Sequence, residues 1–135
     1  MESARARQLF SAADHAYLAS VRPDGGPHVV PFTFVVVDDI IYWVVDSKPK
    51  SSQRLQRLIN IEREPRVSAV ADGYSADWSR LWWARADGVA APVPDVSAAK
   101  ARELLARKYP QYRVEPPLGR IISITVDRWT GWAAS

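Results

Sequence analysis

The stretch from His15 to Asp46, HAYLASVRPDGGPHVVPFTFVVVDDIIYWVVD, constrains the fold more than any other part of the chain. β-Branched and aromatic residues fill it, and its punctuation is Pro23-Asp24-Gly25-Gly26 and Asp38-Asp39, both turn-forming sequences. The stretch reads as three strands in an antiparallel meander, since tight turns leave no room for the crossover that a parallel pair requires.

Helical spacing brackets this run. Ala6, Leu9, Phe10 and Ala13 recur at intervals of three and four, which predicts a helix over residues 3–14. A second helix is expected over Ser52 to Arg63, with Ser51 or Ser52 as cap, Leu55, Leu58, Ile59 and Glu62 at helical spacing, and Pro65 forcing an end. Alternation returns in RVSAVADGY and again, with many aromatics, from Trp78 to Val93. Ser97 to Tyr109 is a third helix, RVEPPLG a loop, and RIISITVDRWTGW a closing strand with Ile122, Ile124 and Val126 on one face. Six strand regions and three short helices in 135 residues predict one α+β, mainly β domain over residues 1–135, built on a six-stranded antiparallel barrel.

The absence of cysteine excludes disulfides, thiolate metal sites and cysteine nucleophiles. His15 and His28 are the only imidazoles, and both sit near strand starts or turns where exposed side chains are expected. No paired carboxylates and no Gly-x-Ser-x-Gly elbow appear, so hydrolase and metal-site chemistry are poorly served and no catalytic residue is assigned. The N-terminus carries scattered charge and no apolar run long enough for a signal peptide or a membrane span, which points to a cytoplasmic protein. A net charge of +3 does not demand a nucleic-acid partner.

Charge distribution is more informative than net charge. Lys48, Lys50, Arg54, Arg57, Arg63 and Arg66 stand against Glu62 and Glu64 in one segment. Asp46-Ser47-Lys48-Pro49-Lys50 lies where a strand ends and a serine-rich helix begins, and helix N-termini offer unpaired N–H groups and partial positive charge to a phosphate. Ser47, Ser51 and Ser52 add hydroxyl donors, while Arg54 and Arg57 offer forked N–H pairs for carboxylates or phosphates. Charge alone fits a solvated helix face as well, and there is no glycine-rich phosphate loop.

Trp82 and Trp83 are consecutive strand residues and face opposite sides, so one of them must find a surface outside the core. A subunit interface or a planar cofactor would supply it. Arg80 and Arg85 suit an anionic tail or pairing with Asp77 and Asp87, and Trp132 is open between core and cofactor wall.

The segment GGPHVVPFTFVVVDDIIYWVVDSKPKSSQRLQRLINIEREPRVSAVAD resembles the core of the split β-barrel flavin and deazaflavin reductases, the group that includes pyridoxamine 5′-phosphate oxidase. The order "G.P...P..F", strand, basic turn, helix, "N....PRVS" matches over roughly residues 8–74. DWSRLWWARADGVA, residues 77–90, is similar to a subfamily predicted to use coenzyme F420, and RWTGW fits as well.

The resemblance implies an oxidoreductase that uses coenzyme F420 for hydride transfer to a small organic acceptor, with an FMN-dependent oxidoreductase of the same fold as the alternative. It implies a homodimer with a cofactor site at each side of the interface, each drawing on both chains. Ser47, Lys48 and Lys50 would hold the phosphate with help from Arg54, and Pro31, Phe32 and Thr33 would lie along the ring. Trp78 and Trp83 would border the cofactor, and Arg54, Arg57 and Arg80 would meet the carboxylate tail of F420. A non-catalytic flavin or deazaflavin carrier fits the same residues. Ser-Lys-Pro-Lys departs from the Ser-Arg-Lys type turn of the oxidase, which argues against vitamin B6 oxidation.

Overall fold

The computed structural model describes residues 1–45 and 52–135, with side chains in the second stretch from Gln56 onward. In chain order the elements are α1 (Ser3–Ala12), β1 (Ala16–Val21), β2 (Pro27–Phe32), β3 (Val35–Val37), β4 (Ile40–Val44) and α2 (Ser52–Arg63). There follow β5 (Arg66–Gly73), β6 (Trp82–Pro92), α3 (Asp95–Lys108), α4 (Gln111–Val114) and β7 (Ile121–Ala133). All strand pairs are antiparallel.

Seven strands form one sheet in the order β2-β1-β5-β6-β7-β4-β3, so the expected six-stranded barrel is corrected to seven strands in an open ladder. The extra strand comes from a break in the second predicted strand at Thr33-Phe34. There the Tyr109 hydroxyl accepts from the Phe34 N–H at 3.1 Å. It also lies within donating reach of the carbonyl oxygens of Phe34 and Asp14, at 3.2 and 2.7 Å. A side chain thus takes over backbone groups that a sheet ladder would otherwise pair.

The edge strands β2 and β3 are consecutive in sequence, and this dictates the overall curvature. Seven strands laid flat would hold their outer edges about 29 Å apart, whereas the link from Phe32 to Val35 spans about 11 Å at most. The sheet must therefore curl until its edges nearly meet. Phe32 of β2 and Trp43 of β4 touch across that seam, with ring centroids 5.8 Å apart.

Inside the curl, alternation buries Leu18, Phe32, Ile41, Trp43, Ile122 and Ile124 together with Phe10 of α1. Alanines at 69, 71, 84 and 86 line the same interior and leave room for α1, whose Ala6 and Phe10 are fully buried. A smaller cluster under α3 joins Val44, Val93, Ala98, Ala101, Leu105 and Ile121. Helix α2 spans the predicted residues but turns a different side inward: Arg57, Asn60 and Ile61 are buried while Ile59 is exposed. Asn60 donates to the Ser20 hydroxyl at 3.0 Å and accepts from Gln56 at 2.8 Å, so polar pairing orients this helix along with apolar spacing.

Two local features also depart from expectation. Trp78–Arg80 form a 3-10 turn capped by Asp77, and the strand begins only at Trp82. In β7, Val126 faces Gly88 and Arg128 faces Asp87, leaving Asp127 as an extra residue. This bulge reverses the alternation, so Trp129 is buried and Trp132 faces outward, 48% exposed.

Candidate functional site

A cleft of about 370 Å³ opens at the seam. Pro31, Phe32 and Thr33 reach it from β2 and the break, Trp43 and Val44 from β4, and Arg57 from α2. His15 and Tyr112 complete its rim. The apolar faces of Phe32 and Trp43 meet nearly at right angles, which fixes both rings. Beside them the hydroxyls of Thr33 and Tyr112 are bonded at 2.8 Å, forming a polar edge. The lining combines apolar groups from Pro31, Phe32, Trp43 and Val44 with a hydroxyl pair, which suits a guest that is apolar on one part and polar on another.

The electrostatics beside the cleft disfavour a further cation. His28 is buried, contrary to expectation, at 6% exposure, and its Nδ1 finds no hydrogen-bond partner among the described residues. Burial first, then the positive charges of Arg22 and Arg57, hold its pKa below the ordinary value. The imidazole is thereby kept neutral near the cleft's guanidinium.

Of the residues singled out from sequence, Pro31, Phe32, Thr33 and Arg57 converge on this cleft. Ser47, Lys48 and Lys50, and the side chain of Arg54, lie outside the described residues. Val44 lines the cleft, so the chain runs from its wall toward that basic segment. Trp78 is 76% exposed on the 3-10 turn and Arg80 closes that turn; neither lines the cleft. Trp83 is half-buried on the outer face, paired with Trp132 across β6 and β7, with the Arg85 guanidinium 5.4 Å from its ring centroid.

Sequence reasoning missed Trp43, Val44 and Tyr112 as parts of the site, and set His15 aside as an exposed histidine at a strand start; it is exposed but stands on the cleft's rim. A faint signal for Tyr112 exists in Tyr109-Pro110-Gln111-Tyr112, where two tyrosines three residues apart share one face of a turn. Their rings meet edge to face at 5.6 Å and dock on Thr33-Phe34. Burial pushes the Tyr109 hydroxyl up to about 12, so it remains protonated and keeps its structural bonds.

A curled sheet with an aromatic slot at an unpaired seam defines the split-barrel class. Residues 3–133 match the profile of the pyridoxamine 5′-phosphate oxidase family, and the chain belongs to that family. No curated protein is matched. Among solved structures, a conserved hypothetical protein of Mycobacterium tuberculosis aligns with a TM-score of 0.80 and 21% identity, over 99% of this chain and 86% of that one. A FAD-binding protein of Mesorhizobium loti aligns with a TM-score of 0.74 and 18% identity, over 97% of this chain and 94% of the other. A heme-binding protein of Mycobacterium smegmatis gives a TM-score of 0.75 and 16% identity, covering 99% of this chain and 59% of its own. At these identities the likeness is one of fold.

Proposed function

We propose that this chain is an oxidoreductase that binds coenzyme F420 at the seam and reduces a small organic acceptor. The observation that carries the reading is the convergence of Pro31, Phe32, Thr33 and Arg57 on one cleft of mixed apolar and polar lining, whose β4 wall precedes the basic segment in the chain. When bound, a reduced deazaflavin supplies hydride, and the protein supplies orientation and exclusion of water. Pro31, Phe32 and Thr33 would lie along the ring, with the Thr33 and Tyr112 hydroxyls as the polar groups beside it. Lys48 and Lys50, with Ser47, take the phosphate, and Arg54 and Arg80 serve the carboxylate tail. Arg57 adds positive charge inside the cleft itself.

The working unit is read as a homodimer with two cofactor sites, Trp78 and Trp83 bordering the cofactor from the second copy. Support comes from the outer face of the sheet, where Tyr17, Val29 and Trp132 remain 39%, 61% and 48% exposed. Apolar area of this kind is commonly covered by a partner. FMN is the second reading, favoured by family membership and by likeness to a protein described as FAD-binding.

Titration with F420 and with FMN, followed by optical spectra, tests both. F420 is expected to bind more tightly, and Lys48→Ala and Lys50→Ala to lose roughly ten- to a hundredfold in affinity, with Lys100→Ala unchanged. Tight binding of FMN alone overturns the deazaflavin assignment, and binding of neither overturns the cofactor reading.

A further inference from the structure

A second cavity, of about 580 Å³, lies between α3, α4 and the proline loop. This is ample for a small molecule. Its walls are Arg102 and Ala106 on α3, Tyr112 and Arg113 at α4, and Pro117 and Leu118 in the loop. The loop is held in place: Arg102 donates to the Pro117 carbonyl at 2.7 Å, and the consecutive prolines 116 and 117 restrict its backbone. On this fastened support Leu118 is 83% exposed, as is Val114 nearby at 88%. Apolar side chains held open beside a cavity gain by being covered.

Charge selects the occupant. Glu103, the one carboxylate among the described residues that line the cavity, is already engaged by Arg107 at 2.6 Å and Lys100 at 3.7 Å. Arg113 has no ion pair among the described residues. The rim therefore offers an uncommitted guanidinium over an apolar floor, which matches a small apolar molecule bearing one carboxylate.

Tyr112 links this cavity to the seam. It lines both, and its hydroxyl bonds Thr33 on the cleft side. We propose that the cavity seats an apolar carboxylate whose anionic end is held by Arg113, and that Tyr112 is the partition past which its other end reaches the seam cleft. This rests on the reading of the cleft as a cofactor site, and it makes a conjugated carbon–carbon double bond at the far end of the molecule the acceptor: that bond takes the hydride at one carbon and a proton from solvent at the other, while the carboxylate is unchanged.

Naphthoate is a suitable probe, with uncharged naphthylmethanol as its comparison and amide NMR spectra of the full chain as readout. Naphthoate is expected to shift Arg102, Tyr112 and Arg113, and Arg113→Gln to weaken it about tenfold while leaving naphthylmethanol unchanged. Leu118→Asp should abolish binding of both. F420 and FMN titrations of these two variants should match the unaltered chain. Absence of naphthoate binding up to about 10 mM, shifts confined to other residues, or equal affinity in Arg113→Gln would overturn the proposal. Naphthoate seated as expected in a chain that binds neither cofactor would uphold the carboxylate site and remove its role as acceptor.

Discussion

The hydroxyls of Thr33 and Tyr112 lie 2.8 Å apart although 79 residues separate them in the chain. With Tyr109 on Phe34, this contact ties the two residues where the sheet breaks to the end of α3. The seam cleft and the helical layer are therefore mechanically one unit.

The two tyrosines should differ in what their hydroxyls contribute. Tyr109→Phe leaves the N–H of fully buried Phe34 without its partner and should cost about 1–3 kcal/mol. Tyr112→Phe removes one half-buried bond and should cost about 0.5–1.5 kcal/mol. Denaturant midpoints of the two variants measure the difference, and equal losses would contradict this account of the break.

Lys108 sets an alkaline dependence. Its ammonium sits 3.9 Å from the Phe34 ring centroid and 3.3 Å from the Ser11 carbonyl oxygen. Burial lowers its pKa to about 8, with Asp14 opposing. Between about pH 8 and its ordinary value of 10.5 the unfolded chain holds more protons than the folded one, so Lys108's contribution to stability should rise with pH across that window. Unfolding free energies of Lys108→Met, compared with the unaltered chain at each pH, should lack this rise.

His28 acts in the acidic direction. Because its folded pKa lies below the ordinary 6.5, its contribution is fully present above that value. It should be lost as pH falls below 6.5 toward the folded pKa, where the unfolded chain takes up a proton that the fold resists. The stability gap between this chain and His28→Gln should shift against the unaltered chain on going from neutral to mildly acidic buffer. NMR titration of the imidazole should give a depressed pKa that moves back upward in Arg22→Gln.

Gly88 faces the β7 bulge, and a Cβ there would meet the Thr125 carbonyl oxygen at 2.2 Å. Gly88→Ala should therefore destabilise the chain by about 1–3 kcal/mol, readable as a lower melting temperature. Gly25→Ala also alters one glycine, but there the cost arises from a φ of +87° with open space around it. Its effect should stay local to the hairpin.

Local patterning carried most of the fold. Alternation and turn chemistry marked the strands of the meander, and the spacing and flanking residues of α2 gave its limits from Ser52 to Arg63. What escaped was set by partners distant in sequence. The strand break at Thr33-Phe34 depends on Tyr109, the inward side of α2 on Ser20, and the outward turn of Trp132 on one extra residue at Asp127. The site divided in the same way. Pro31, Phe32 and Thr33 were legible because they adjoin one another, whereas Tyr112 reaches the cleft only through the docking of α3 and α4.

No ladder hydrogen bond joins β2 to β4, so the separation of the seam's walls is governed by the bulk of residues 32 and 43 and not by a fixed interstrand spacing. The two rings plug that gap from within, Phe32 5% and Trp43 1% exposed, so the joint is sealed by side chains where the rest of the sheet is sealed by backbone.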